Sequence, residues 1–156
     1  DKACTTCKGA GAYRDEVRER IDVPAGIADG QSIVVTGHGE PGERGARAGD
    51  LIVTVHVTPS KQFVRDGDHI RTQHHVTFAQ AALGDKVSVE TVDGPVTMKV
   101  PAGTQSGELY RIRGKGVPKL RGIGRGDQIV EVIVDVPTSL TRAQKKVITQ
   151  LREMES

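Results

Sequence analysis

The sequence predicts a mainly β fold, made of two similar small domains in tandem and followed by a short C-terminal helix. Of the 156 residues 36% are hydrophobic but only 3% are aromatic, so the core must be mostly valine, isoleucine and leucine, which favour strands. One segment of the chain occurs twice, and each copy ends in the alternating apolar pattern of a strand. The longest pattern with helical spacing lies at the C-terminal end.

The duplicated segment is the strongest sign of organisation. The first repeat comprises residues 23–57 and the second repeat comprises residues 100–134, and they align without a gap at an offset of 77 positions. Both begin with VPAG, both contain a G-x-G motif, and both have Gly-Asp before the final strand. Two copies are too few for a solenoid, so we interpret the repeats as two similar domains.

The remaining elements follow in chain order. Val53, Val55 and Val57 are expected on one face of the strand that ends the first repeat, as are their counterparts in the second. Residues 70–77 alternate loosely, and FAQAAL at 78–83 predicts a short helical turn that ends at Gly84. Residues 86–100 predict a hairpin that turns at Asp93-Gly94.

The C-terminal segment, SLTRAQKKVITQLREMES, predicts one amphipathic helix. Thr141 and Gln144 have the spacing of a capping box at its start. An apolar stripe at helical spacing follows, made of Val147, Ile148, Leu151 and Met154.

Charge and length exclude several classes of protein. The 22 basic and 20 acidic residues give a net charge of +2, which provides no general attraction to nucleic acid or to a membrane surface. No apolar run approaches the roughly 18 residues that a membrane span requires. The chain does not begin with methionine, so we expect Asp1 to lie inside a longer protein.

Nothing in the sequence predicts an enzyme. Gly37-x-Gly39-x-x-Gly42 formally matches a dinucleotide-binding loop, but that loop must open a helix, and Pro41 and the glycine-rich segment after it prevent one. The five histidines are scattered, and His74 and His75 would point to opposite faces of a strand. We expect surface or hydrogen-bonded histidines, although His38 could still supply a metal ligand.

A basic segment at residues 111–127 is the one clear charge asymmetry. It could receive an acidic peptide, or it could be an ordinary solvated loop. Nucleic acid is less favoured, because Tyr110 is the only aromatic residue nearby for stacking on bases. The basic residues of the segment are Arg111, Arg113, Lys115, Lys119, Arg121 and Arg125.

The two cysteines, Cys4 and Cys7, occur in CTTCKGAG. The C-x-x-C spacing allows half of a metal site, a redox pair or a disulfide. A secreted disulfide scaffold would have more cysteines, so a reducing compartment and hence the cytoplasm is favoured. We favour zinc over a redox pair, and since a closed zinc site has four ligands, this pair is half of one.

Several motifs in series resemble the C-terminal half of the DnaJ-type J-domain co-chaperones, of the zinc-containing type I class. They are CTTCKGAG, VPAGIADGQSIVVTGHGEPG, AGDLIVTVHV, FVRDGDHI, VTFAQAALGDKVSVETVDG and YRIRGKGVP. The resemblance covers essentially the whole chain. In that family four C-x-x-C-x-G-x-G motifs form two zinc sites, and Cys4 and Cys7 match the fourth, whose partner is the first motif and would lie upstream.

The resemblance also implies a domain organisation. It implies two tandem similar β-sandwich-like domains with a short C-terminal helix, preceded by the tail of a zinc-binding region. Residues 1–11 would end the cysteine-rich region, and residues 12–59 would form peptide-binding domain I without its opening strands. Residues 60–137 would form a complete domain II, and residues 138–156 would begin the dimerisation region of a homodimeric parent.

The function that the resemblance implies is that of a stress-response co-chaperone. Such a protein binds unfolded polypeptide clients in shallow apolar grooves and delivers them to a DnaK-type ATPase chaperone. Ile33, Val35 and Phe63 match the family positions at the groove of the first domain, but they could equally be core residues. Tyr110 and Ile112 are their weaker counterparts in the second domain.

Two further expectations concern what this chain can do alone. It contains no His-Pro-Asp motif of a J domain, so it should not stimulate the ATPase of the partner chaperone. The alternative function is architectural, namely a dimerisation and spacer segment with little client binding of its own.

Overall fold

The computed structural model describes residue 16, residues 18–42 and residues 46–155 of the chain. This part of the chain is mainly β with a short C-terminal helix, as the sequence predicts. Its strands are β1 (Ser32–Val35), β2 (Leu51–Thr54), β3 (Val64–Asp66), β4 (His69–Thr77), β5 (Asp85–Thr91), β6 (Gly94–Val100), β7 (Leu109–Ile112) and β8 (Gln128–Asp135). Its helices are α1 (Phe78–Leu83) and α2 (Arg142–Met154).

The C-terminal strands form a two-layer sandwich. One layer is a four-stranded sheet in the order β3-β4-β8-β7, in which β4 and β8 are parallel and the other neighbours are antiparallel. The other layer is the antiparallel hairpin β5–β6. Side chains from both layers and from α1 make one buried cluster, consisting of Val76, Ala81, Val87, Val89, Met98, Val100, Val130 and Val132.

The strands confirm the repeat. Strands β1 and β2 begin 77 positions before β7 and β8, and each of these pairs is antiparallel. The main-chain hydrogen bonds recur as well. The Gly30 N–H donates to the Val55 carbonyl at 2.9 Å, and the Gly107 N–H donates to the Val132 carbonyl at 2.8 Å.

The loops between these strands repeat the same geometry. The Gly37 N–H donates to Asp50 Oδ1 at 3.0 Å, and the Gly114 N–H donates to Asp127 Oδ1 at 2.9 Å. Both glycines have left-handed backbones, with φ of 77° and 68°. A residue with a Cβ would be strained there, which explains why both copies have glycine at this position.

The last strand of the first repeat is shorter than predicted. Val55 keeps its ladder bonds, but β2 ends at Thr54 and Val57 is 47% exposed. The counterpart β8 continues to Asp135 because β4 pairs with it along its whole length. In the described part of the chain β2 pairs only with β1, so nothing extends it.

The predicted hairpin is confirmed, but its turn lies one residue earlier than expected. Thr91 pairs with Gly94, so the turn residues are Val92 and Asp93. The Thr91 hydroxyl donates to the Gly94 carbonyl at 2.6 Å and accepts from the Asp93 N–H at 3.2 Å. The Thr91 side chain thus closes the turn. The prediction was based on the Asp-Gly pair alone and did not include this side chain.

Both predicted helices are present. Helix α1 is terminated by the predicted Gly84 as its C-cap, and α2 has the predicted capping box between Thr141 and Gln144. The predicted apolar stripe of α2 is solvent-exposed, from 38% at Leu151 to 79% at Met154. None of the helices in the described ranges has the length and apolar composition of a membrane span.

Candidate peptide-binding site

The hairpin β1–β2 carries the two candidate residues of the first repeat. Ile33 lies opposite Val53 and Val35 lies opposite Leu51, so these four side chains share one face. All four are partly buried, with none in the fully buried core. The hairpin therefore presents a continuous aliphatic face that its own strands do not fully cover.

The opposite face of this hairpin is also apolar, which the sequence analysis missed. Val34 and Ile52 are cross-strand partners and are 57% and 66% exposed. The signal was present in the uninterrupted apolar runs Ile33–Val35 and Leu51–Val53, since a strand with one solvated face should alternate.

The outer edges of this hairpin have no strand partner in the described part of the chain, where β1 and β2 pair only with each other. An unpaired strand edge presents N–H and C=O groups that can accept another extended chain, whose alternate side chains could lie against the face of Ile33 and Val35.

Phe63 lies outside the hairpin, directly before β3. Its N–H donates to the Ser60 hydroxyl at 3.2 Å, which fixes the end of the linker from the first repeat. The side chain is partly exposed and is not among the residues packed against the buried cluster. Phe63 is therefore neither a core residue nor fully solvated.

The counterparts in the second repeat have a different environment. Tyr110 and Ile112, on β7, are partly buried and pack against the buried cluster. The Tyr110 hydroxyl donates to Glu108 Oε2 at 2.6 Å and lies 2.8 Å from Thr104 Oγ1. Desolvation, and then the Glu108 carboxylate, raise the pKa of Tyr110. The same hydrogen bond lowers the pKa of Glu108.

These surroundings distinguish the two repeats. In the second, the hairpin β5–β6 covers the face to which Tyr110 and Ile112 belong, and the tyrosine hydroxyl has its own partners. In the first, β1 and β2 form a separate two-stranded sheet, and neither Ile33 nor Val35 is among the described residues that pack against the buried cluster. The equivalent positions are all partly buried, but they differ in what surrounds them.

The predicted metal ligands Cys4 and Cys7 lie outside the described residues. Within the described residues, no three His, Cys, Asp or Glu side chains are grouped in a way that could hold a metal ion. The His38 side chain contacts a carboxylate instead, and its Nδ1 lies 3.0 Å from Glu19 Oε1. His75 Nδ1 is similarly 2.8 Å from Asp135 Oδ1.

The basic segment is partly neutralised. Asp93, in the turn of β5–β6, accepts from Arg125 Nη1 at 2.9 Å and from Lys115 Nζ at 3.2 Å. These two cations lower the pKa of Asp93, Arg125 having the larger effect. Arg111 Nε is 3.9 Å from Asp127 Oδ2. The segment thus ties the hairpin to the four-stranded sheet, which its sequence did not indicate.

Comparison with known proteins identifies the family. The family described as "DnaJ C terminal domain" matches residues 7–137. The chain is 44% identical over 153 residues to a protein of Clostridium novyi (strain NT) and 51% identical over 152 residues to one of Bacillus cereus (strain B4264). Both relatives are named "Chaperone protein DnaJ"; the alignments cover 98% and 97% of this chain but only 41% of each relative. The chain belongs to the DnaJ C-terminal domain family.

Proposed function

We propose that this chain is the client-binding part of a DnaJ-type co-chaperone. It binds extended segments of unfolded polypeptides on the β1–β2 hairpin. The observation that carries the proposal is the partly buried face of Ile33, Val35, Leu51 and Val53, beside strand edges that no other described strand pairs with. The names of the relatives support it.

The chemistry of such a site suits many client sequences. Main-chain hydrogen bonds along an open edge do not depend on the sequence of the client. Burial of apolar client surface against the aliphatic face adds about 25 cal/mol of binding free energy per Å². This contribution depends on the hydrophobicity of the client side chains and not on their identity. Phe63 is proposed to border this face. Tyr110 and Ile112 would contribute less, since their apolar surface already packs against the core.

We propose further features from the resemblance. The bound client would pass to a DnaK-type ATPase chaperone, and the chain itself would catalyse no reaction. Cys4 and Cys7 would supply two thiolates to a zinc site, and thiolate donors suit zinc well. Zinc there would have a structural role. The proposal also includes a cytoplasmic location. It places the domain boundaries after residues 11, 59 and 137.

The α2 helix is proposed to join two copies of the parent protein. Its apolar stripe is exposed along the helix, and its side chains contribute nothing to the buried cluster. A second copy of the same helix would cover such a stripe. If dimerisation and spacing were the main role, the chain would be architectural and would bind clients weakly.

Suppression of aggregation separates these two functions. A chemically denatured client protein is diluted into buffer with increasing amounts of the chain, and light scattering is followed. The proposed function predicts suppression by the wild type, a loss of suppression in Ile33→Ser, and retention in Val34→Ser. Val34 is the matched control because it lies in the same strand but on the opposite face. No suppression by the wild type at a large excess would favour the architectural function.

A further inference from the structure

The side chain of Arg65 links the start of the first repeat to the segment that lies between the two repeats. Its Nη1 donates to the Ile27 carbonyl and its Nη2 donates to the Gly26 carbonyl, both at 2.6 Å. Its Nε donates to the Gly67 carbonyl at 2.9 Å. Gly26 and Ile27 belong to the VPAG turn that opens the first repeat, whereas Arg65 and Gly67 belong to β3 and its turn. One guanidinium therefore connects segments 38 and 39 positions apart.

Only arginine can make this connection in full. The guanidinium is a planar fork with five N–H donors, and here three of its nitrogens each reach a different carbonyl. Lysine has a single ammonium nitrogen and cannot span the three acceptors. Hydrogen bonds from a charged donor are also stronger than neutral ones.

A close backbone approach lies at the same place. A Cβ added at Gly26 would overlap the Pro118 carbonyl oxygen, and it would lie 3.4 Å from the Leu120 nitrogen. Pro118 and Leu120 belong to the second repeat. The first turn of one repeat therefore packs directly on a loop of the other, and only glycine allows the distance. We call Gly26, Ile27, Arg65 and Pro118 the junction.

The junction lies next to the proposed client-binding residues. Phe63 is separated from Arg65 by one residue, and in an extended chain such side chains leave on the same side. Arg65 reaches toward the first repeat on that side. The turn held by Arg65 leads, five residues after Ile27, into β1, which carries Ile33 and Val35.

We propose that Arg65 is a positioning residue for client binding, which with the glycine contact at Gly26 fixes Phe63 relative to the β1–β2 hairpin. This inference rests on the proposed function. The two repeats then act as one rigid body, and a client meets a site that is already assembled. Loss of the junction would let Phe63 and the hairpin move independently.

Residual dipolar couplings of the ¹⁵N-labelled chain test rigidity without any client. In the wild type, the amides of β1–β2 and those of β4–β8 should fit one alignment tensor. Arg65→Ala and Gly26→Ala should require two tensors. Gly103→Ala is the matched control, because its φ of 82° resembles the 87° of Gly26 but an added Cβ would meet nothing within 4 Å. A single tensor in Arg65→Ala and Gly26→Ala would overturn the proposal.

Affinity for a labelled unfolded peptide tests the consequence for binding. If the assembled arrangement is populated about a tenth of the time without the junction, the apparent Kd should rise roughly tenfold. Arg65→Lys should share much of this loss, and Arg71→Ala, which removes a cation paired with Asp66, should not. If Arg65→Ala fails to fold, the Arg65→Lys and Gly26→Ala variants decide the result.

The two proposals can fail separately. If Ile33→Ser and Phe63→Ser both bind the peptide as the wild type does, the proposed function is wrong and the junction has no client to position. If those variants lose binding while Arg65→Lys and Gly26→Ala bind normally, only the positioning role is wrong.

Discussion

The substitutions Val132→Ala and Val55→Ala compare one position in the two repeats. The two valines are 77 positions apart, and each accepts a main-chain hydrogen bond from the equivalent glycine and donates to the equivalent upstream carbonyl. Val132 is 0% exposed, whereas Val55 is only partly buried. The two valines therefore have the same side chain and the same main-chain hydrogen bonds, and they differ in how deeply they are buried.

The magnitudes follow from that burial. Each substitution removes two carbon atoms, and a buried CH₂ contributes about 0.8 kcal/mol. For Val132 this gives about 1.6 kcal/mol, and the cavity left in a packed core raises the cost to roughly 2–3 kcal/mol. For Val55 the removed atoms are partly solvated and the site is open, so the cost should be about 1 kcal/mol or less.

Unfolding in urea, followed through resolved amide signals in each sheet, measures both effects without assuming that the repeats unfold together. With a slope of about 2 kcal/mol per M, Val132→Ala should lower the midpoint of the β8 signals by roughly 1 M. Val55→Ala should move the β2 midpoint by less than half of that. Equal shifts would contradict this expectation, because they would mean that the first repeat is covered as completely as the second.

Three further predictions test other parts of the account. Hydrogen exchange should be slower in β8, which has a strand on each side, than in β2, and equal protection would contradict the open edge. Arg125 and Lys115 lower the pKa of Asp93 in the folded chain, so its carboxylate stabilises the fold at neutral pH. Asp93→Asn should therefore be less stable than the wild type at neutral pH, and this difference should disappear as the pH falls from about 4 through the lowered pKa of Asp93. A constant difference down to acidic pH would argue against these ion pairs. The purified chain should hold well under one zinc per copy, and a tight stoichiometric ion in a monomer would contradict the assignment of Cys4 and Cys7 to half a site.

The sequence predicted the repeated architecture well because repetition is visible without long-range information. The offset of 77 positions relates β1 to β7 residue for residue and β2 to the first half of β8. Local signals were equally reliable: the capping box at Thr141 and Gln144 and the glycine after FAQAAL define the ends of helices through contacts between close neighbours.

Other features could not be predicted, because they depend on partners far away in the chain. The acceptors of Arg65 are main-chain carbonyls, which every residue has, so no pattern marks Gly26 and Ile27 as its partners. The length of β2 depends on whether a neighbouring strand extends it. The different surroundings of Ile33 and Tyr110 have the same origin, since the sequence of a strand gives no sign of which of its faces a second layer covers.

We propose that Phe63 and the aliphatic face of β1–β2 bind clients. The Kd for a labelled unfolded peptide tests this claim when it is measured by fluorescence anisotropy for the wild type, Phe63→Ser and Val64→Ser. Val64 is the control because it is 58% exposed and adjacent but belongs to the other face of β3. We expect weaker binding by Phe63→Ser alone, at a stability cost well below the roughly 3–5 kcal/mol of truncating a core phenylalanine. Unchanged binding in Phe63→Ser, or unfolding of that variant, would contradict it.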